Sequence, residues 1–91
     1  MMDKVNVIIR VIGRVQGVGF RYSTQQIATS LSLCGFVTNE SDGSVYIEAE
    51  GTTEQINLLI EWCRRGSSRA IVREVRYFTG TLMNYTSFRV K

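Results

Sequence analysis

Alternating apolar and polar positions predict five strands along the chain. From Val5 to Val11 every second residue is valine or isoleucine, which indicates a strand buried mainly on one face. A similar period of two, or a run of β-branched and aromatic residues, recurs in four later segments. The predicted strands cover residues 5–12, 36–40, 45–50, 71–78 and 87–91.

Two other segments have apolar residues at helical spacing. Within residues 21–34 the apolar side chains recur three or four positions apart, and Gly35 is placed to end this first helix. The second helix has clearer boundaries, because Thr52 and Gln55 have the spacing of a capping box and Gly66 follows the last apolar turn. The pattern therefore predicts one helix after the first strand and another after the third.

The connection between the second and third strands is a predicted hairpin. Asp42 and Gly43 lie between two β-like runs, and this dipeptide is a strong short-range signal for a hairpin turn. The predicted order is β-α-β-β-α-β, followed by a short closing strand. Right-handed crossovers then give an α+β, ferredoxin-like sandwich, in which an antiparallel sheet carries two helices on one face. Because the sequence shows no proline, repeat or linker, residues 1–91 are predicted to form a single domain.

Missing residue types restrict the chemistry more than the overall composition does. The chain is 44% hydrophobic and 21% charged, as expected of a folded globular protein. It contains no histidine, which excludes Ser-His and Cys-His catalysis and imidazole metal ligands. Its two cysteines, Cys34 and Cys63, are too few for a four-thiolate zinc or iron–sulfur site. We therefore expect no metal and no cofactor, and a reaction that uses arginine, amide, hydroxyl, carboxylate or backbone groups.

The charge balance favours small anions as ligands. Eleven basic and eight acidic residues give a net charge of +3, and most of the cations are arginines, whose planar fork matches phosphate and carboxylate. The excess is too small to indicate nucleic-acid binding, and no apolar run approaches the ~18 residues of a membrane helix. The N-terminal residues lack the features of an export signal, so we expect a cytoplasmic location. Free thiols are expected there, although the sequence leaves a disulfide between Cys34 and Cys63 open.

The candidate site is the glycine-rich connection between the first strand and the first helix. Gly13, Gly17 and Gly19 precede Arg21 closely and allow the backbone to turn tightly. The N–H groups of such a loop, together with the free N–H groups at the start of the helix, form a cradle for an anion, and Arg21 can add two hydrogen bonds. A glycine-rich loop alone is more often a simple tight turn, and this one lacks both the dinucleotide-binding and the P-loop pattern.

Residues 13–21 resemble the signature of the acylphosphatase family, Gly-x-Val-Gln-Gly-Val-x-Phe-Arg. Residues 35–39, followed by residues 43–45, resemble a second segment of that family, and residues 87–89 resemble its closing strand. The likeness covers nearly the whole chain. One departure is Thr38, which stands where the family more often has a long polar or basic residue, and the sequence leaves its effect on substrate contacts open.

The resemblance implies hydrolysis of the carboxyl-phosphate bond of small acyl phosphates, without a metal or a covalent intermediate. It implies that Arg21 binds the phosphoryl group and that Asn39 positions the attacking water. An acyl phosphate expels a carboxylate whose parent acid has a pKa of about 4, so a site without histidine needs no general acid. The phosphate is also expected to contact the backbone amides of Arg14, Val15, Gln16, Gly17, Val18 and Gly19.

Two other functions are compatible with the predicted fold. An RNA-recognition domain has the same order of elements, but its sheet needs exposed aromatic residues in a pattern that this sequence lacks. A non-catalytic anion-binding or regulatory domain would keep the anion cradle without turning over a substrate, and only an assay separates it from an enzyme. The expected partners are therefore a small acyl phosphate and inorganic phosphate, with no nucleic acid and no membrane, and the expected state is a monomer.

Overall fold

The computed structural model describes residues 3–91. The predicted domain and the predicted N-terminal segment without an export signal both include Met1 and Met2. These two residues lie outside the described residues. The elements in chain order are β1 (Lys4–Arg14), α1 (Phe20–Ser30), β2 (Cys34–Asn39), β3 (Val45–Thr52), α2 (Thr53–Arg65), β4 (Ile71–Thr79) and β5 (Phe88–Val90).

The strands form one sheet in the order β4-β1-β3-β2-β5, and both helices pack on the same face of it. The predicted α+β, ferredoxin-like fold is confirmed. One pairing differs from the predicted antiparallel sheet, because β5 runs parallel to β2. The reason lies in the connection: after β4 at one edge, the chain crosses to the opposite edge and enters it in the direction of β2.

The predicted end of the first helix is wrong. The helix α1 ends at Ser30, and Ser32 then adopts a left-handed φ of 61° that turns the chain back towards the sheet. Gly35 is therefore no helix stop but the second residue of β2. A side chain cannot be accommodated there, because a Cβ atom on Gly35 would lie 1.8 Å from the carbonyl oxygen of Glu48 on the neighbouring strand. This glycine allows two strands to approach closely.

The predicted boundaries of the second helix are confirmed. The Thr52 hydroxyl accepts a hydrogen bond from the N–H of Gln55 at 3.2 Å, and the Gln55 side-chain oxygen accepts one from the N–H of Thr52 at 2.9 Å. Gly66 follows the last turn with a φ of 74°. The capping box and the glycine are local signals, so the sequence alone could place both ends of α2.

The hydrophobic core lies between the two helices and the sheet. Phe20 and Ala28 of α1 and Leu59 of α2 are buried in it. The strands contribute the buried side chains of Ile9, Val11, Val37, Val45, Ile47 and Ala49.

Neither helix of the described chain is long and apolar enough to cross a membrane.

Both cysteines are free thiols, and no disulfide joins them within residues 3–91. Cys63 is buried in the core, where the loss of hydration raises the pKa of its thiol to about 12. The nucleophilic thiolate of Cys63 is therefore not formed near neutral pH. Cys34, at the start of β2, is half-buried.

The sheet face opposite the helices, called here the open face, is partly covered by residues 80–87. The carboxylate of Glu50, only 1% exposed, holds this segment by accepting hydrogen bonds from the N–H groups of Met83 and Tyr85. It also accepts one from the Asn6 side chain at 2.8 Å. Burial raises the pKa of Glu50, but these hydrogen bonds outweigh it and hold the pKa below its ordinary value of 4.5.

We expect Glu50→Gln to destabilise the protein in a pH-dependent manner. The Glu50 carboxylate accepts hydrogen bonds from three N–H donors. The amide group of glutamine would place its own N–H donor against one of them, at a cost of about 2–3 kcal/mol near pH 7. Because the folded pKa of Glu50 is lowered, its contribution is complete above 4.5 and is lost as the pH falls through that folded pKa. Denaturant unfolding of parent and variant should therefore show a difference that shrinks in acid. Glu61→Gln is the control, because Glu61 lies at an exposed position. A change in its free energy of unfolding equal to that of Glu50→Gln would contradict this assignment.

Candidate active site

Residues 15–19 connect β1 to α1 and form one wall of the candidate site. Gly17 and Gly19 have φ values of 75° and 76°, in the left-handed region that favours glycine, and Gly19 is the N-cap of α1. Within residues 3–91, the N–H groups of Gly17, Val18 and Gly19 donate to no backbone carbonyl. These donors and the free N–H groups of the first turn of α1 are therefore available to an anion.

Two side chains fix this loop to other parts of the fold. The amide nitrogen of Gln16 donates to the carbonyl oxygens of Glu40 at 2.8 Å and Ser44 at 2.9 Å, in the hairpin between β2 and β3. The hydroxyl of Ser67, after α2, donates to the carbonyl oxygen of Val18 at 3.0 Å. The loop is therefore held in a defined conformation before any ligand binds, which reduces the ordering cost of binding.

Arg21 is the second residue of α1, directly after this loop. One of its terminal nitrogens donates to the carbonyl oxygen of Lys91 at 2.9 Å. Within residues 3–91 no Asp or Glu side chain forms an ion pair with the guanidinium. The N–H groups of the fork that do not bind Lys91 can therefore bind an anion.

Asn39 is the last residue of β2 and pairs with Val45 of β3. Its side-chain oxygen is buried and accepts no hydrogen bond from any donor in residues 3–91. A buried acceptor without a protein partner is uncommon in folded proteins, so this oxygen is available to a bound water or ligand. Gln16 holds the hairpin that follows Asn39, so the loop and Asn39 are fixed relative to each other.

A cavity of about 170 Å³ brings the two predicted catalytic residues together. It contains Arg21 and Asn39, and three of the six predicted loop residues also line it. A larger cavity of about 320 Å³ on the open face contains neither Arg21 nor Asn39. The residues that line the smaller cavity are Val15, Gly17, Gly19, Phe20, Arg21, Tyr22, Asn39 and Val90.

Three predicted loop residues and Thr38 are not among the lining residues. Arg14 is the exposed last residue of β1, where it pairs with Ile71 of β4. The Gln16 side chain is directed to the hairpin, and the Val18 side chain packs against the core. Thr38 pairs with Tyr46 of β3 and adds no side chain to this cavity.

Sequence reasoning missed Tyr22 and Val90 as lining residues and Ser67 as a support of the loop. Tyr22 directly follows Arg21, and that adjacency is the one local signal that could have indicated it. Val90 was predicted only as part of the closing strand. Ser67 gives no signal, since its contact with Val18 joins segments far apart in the sequence.

Comparisons with known proteins agree with the fold. A family model described as Acylphosphatase matches residues 7–90. A protein named Acylphosphatase from Yersinia pseudotuberculosis is 46% identical over 68 residues, which cover 75% of this chain and 74% of that protein. The structure of an acylphosphatase from Coxiella burnetii has a TM-score of 0.94 at 36% identity, covering 98% of this chain and 94% of that one. An acylphosphatase from Bacillus subtilis gives 0.93 at 35% identity, covering 96% and 98%.

Proposed function

The chain belongs to the acylphosphatase family, enzymes that hydrolyse acyl phosphates, and we propose that it does so by direct attack of water on phosphorus, with Arg21 and Asn39 as catalytic residues. The products are a carboxylate and inorganic phosphate. The observation that carries this mechanism is the cavity that contains both side chains beside the glycine-rich loop. A non-catalytic anion-binding domain is not favoured, because the relatives at this level of identity are named as the enzyme.

In the proposed complex the phosphoryl group lies against the loop and Arg21. Two nitrogens of the guanidinium donate to two phosphoryl oxygens, a geometry that a lysine cannot reproduce. Support for an amide cradle comes from the N–H groups of Gly17, Val18 and Gly19, which have no backbone acceptor within the described residues. The positive end of the α1 dipole favours the same anion. The full cradle that we propose consists of the amides of Arg14, Val15, Gln16, Gly17, Val18 and Gly19.

The leaving group explains why so few side chains suffice. A carboxylate departs without protonation near neutral pH, because its parent acid has a pKa of about 4. Phosphoryl transfer through a loose transition state requires mainly positioning of the reactants and stabilisation of negative charge. Arg21 and the loop amides supply the charge stabilisation. No metal, cofactor or covalent intermediate takes part in this proposal.

Asn39 is proposed to hold the attacking water. Its unpartnered buried oxygen can accept a hydrogen bond from that water, whose own lone pair then remains free to attack phosphorus. An amide is too weak a base to remove the proton early in the reaction. A loose transition state demands little deprotonation of the nucleophile, so positioning is sufficient.

We further propose that residues 1–91 act as a single-domain monomer in the cytoplasm, binding no nucleic acid and no membrane. The site is built from one chain, and both cysteines are free, as is usual in a reducing compartment. The open face, where an RNA-recognition domain would stack bases, is partly covered by residues 80–87. It also carries the carboxylates of Glu48 and Glu50.

Hydrolysis of benzoyl phosphate in ¹⁸O-labelled water tests the proposed mechanism. Attack at phosphorus places the label in inorganic phosphate, and we expect benzoate to remain unlabelled. Mass spectrometry of enzyme quenched in acid during turnover should show only the unmodified chain, since no phosphoenzyme forms. Label in benzoate would show attack at the carbonyl carbon, and a phosphorylated chain would show a covalent intermediate; either result would overturn the mechanism.

A further inference from the structure

Two apolar side chains at the edge of the cavity have no role in binding phosphate. Tyr22 is 62% exposed and Val90 is 40% exposed, and both line the cavity that contains Arg21 and Asn39. They are called here the apolar rim. Exposure of a large apolar side chain is common, but these two come from separate elements and line one small cavity, so both are available to a ligand bound there.

The two residues of the rim come from different elements of the fold. Tyr22 follows Arg21 in the first turn of α1. Val90 lies in β5 and pairs with Val37, which is two residues before Asn39 and therefore on the same face of β2. The Tyr22 ring takes part in no aromatic pair within residues 3–91, and most of its surface is exposed.

The remaining lining shows what kind of group the rim can contact. Val15 and Phe20, each 1% exposed, add carbon surface deeper in the cavity. Among the described residues that line it, Arg21 alone is charged, and the proposed mechanism assigns Arg21 to the phosphoryl group. Because Asn39 is assigned to the attacking water, the side chains left for the acyl group are apolar, and the ring of Tyr22 and the branched side chain of Val90 are the exposed ones.

We infer that Tyr22 and Val90 bind the acyl group, and that the preferred substrates are acyl phosphates with an aryl or branched alkyl acyl group. This inference rests on the proposed function, since it assumes that the phosphoryl group occupies the loop and Arg21. An aromatic acyl group can stack on Tyr22, whereas an acetyl or carbamoyl group is too small to cover the rim. An open apolar rim discriminates modestly between acyl groups. We therefore expect kcat/KM for benzoyl phosphate to exceed that for acetyl phosphate about tenfold.

The test compares kcat/KM for benzoyl phosphate and acetyl phosphate in the parent and in variants of the rim. Tyr22→Ala is expected to lower the ratio of benzoyl to acetyl kcat/KM about tenfold, mainly through KM for benzoyl phosphate. Tyr22→Phe keeps the ring and should keep the ratio, and Val90→Ala should lower it by a smaller factor. The inhibition constant of inorganic phosphate should stay unchanged in these variants, because phosphate has no acyl group.

Tyr77→Ala is the matched control, because Tyr77 is a similarly exposed tyrosine on β4 at the opposite edge of the sheet. The ratio of benzoyl to acetyl kcat/KM in Tyr77→Ala should equal that of the parent. An unchanged ratio in Tyr22→Ala, or equal losses on both substrates, would overturn the inference while leaving the proposed function intact. If the parent hydrolyses neither substrate, the proposed function fails, and the inference fails with it.

Discussion

Replacing Arg21 by glutamine is expected to lower turnover strongly and to weaken inhibition by inorganic phosphate, in a protein that still folds. Glutamine retains hydrogen-bonding groups but loses the charge and the planar fork that we propose to bind the phosphoryl group. Loss of such a charged contact costs about 2–4 kcal/mol of transition-state stabilisation, which lowers kcat/KM by a factor of about thirty to a thousand. The measurements are kcat/KM for benzoyl phosphate and the inhibition constant of phosphate.

The fold should tolerate this change, because the hydrogen bond from Arg21 to the Lys91 carbonyl oxygen is solvent-exposed. Thermal unfolding of the variant verifies that point. Arg73→Gln removes the same charge from an exposed position on β4, at the far edge of the sheet, and should leave activity unchanged. Near-normal activity in folded Arg21→Gln would show that another group binds the phosphate.

Local signals explain which parts of the fold could be predicted from the sequence. The capping box at Thr52 and the glycine at Gly66 involve neighbouring residues, so they fixed both ends of α2. Gly35 misled the prediction of α1, because its role depends on the carbonyl oxygen of Glu48 on another strand. A glycine that ends a helix and one that permits close strand contact look alike in the sequence.

The open face shows a second limit of periodicity. Asn6 lies on the polar side of the alternating pattern of β1, which predicts exposure, yet it is buried against Glu50. Its burial follows from the crossing of residues 80–87, and nothing near Asn6 indicates where that segment runs. The Asn6 amide nitrogen donates to the carboxylates of Glu48 and Glu50, which offsets part of the cost of burial, while its side-chain oxygen has no donor within residues 3–91.

At the site, too, some features could be predicted from the sequence and others could not. Arg21 and Asn39 were expected to act together because of a family resemblance, and the sheet pairing places them at one cavity. The contacts that orient the loop, from Gln16 to the hairpin and from Ser67 to Val18, link residues 24 to 49 positions apart. No spacing rule within a helix or strand detects pairs at such separations, and Val90 of the apolar rim was missed for the same reason.

Replacing Asn39 by alanine is expected to separate binding from catalysis. Arg21 and the loop amides remain in this variant, so the inhibition constant of inorganic phosphate should stay within about threefold of the parent value. Turnover should fall about a hundredfold or more, because the water loses the group that we propose to position it. Asn57→Ala, at an exposed position of α2, is the matched control and should change neither quantity.

The stability of Asn39→Ala distinguishes a catalytic residue from a supporting one. Within residues 3–91 the buried oxygen of Asn39 has no donor, whereas Gln16 makes the hydrogen bonds that hold the hairpin. No hydrogen bond from another described residue to this oxygen is lost in the variant, so the fold loses mainly the packing of the amide group. We therefore expect the melting temperature to change little while turnover collapses. If phosphate binding in Asn39→Ala weakens as severely as in Arg21→Gln while turnover persists, Asn39 belongs to the phosphate cradle and another group positions the water.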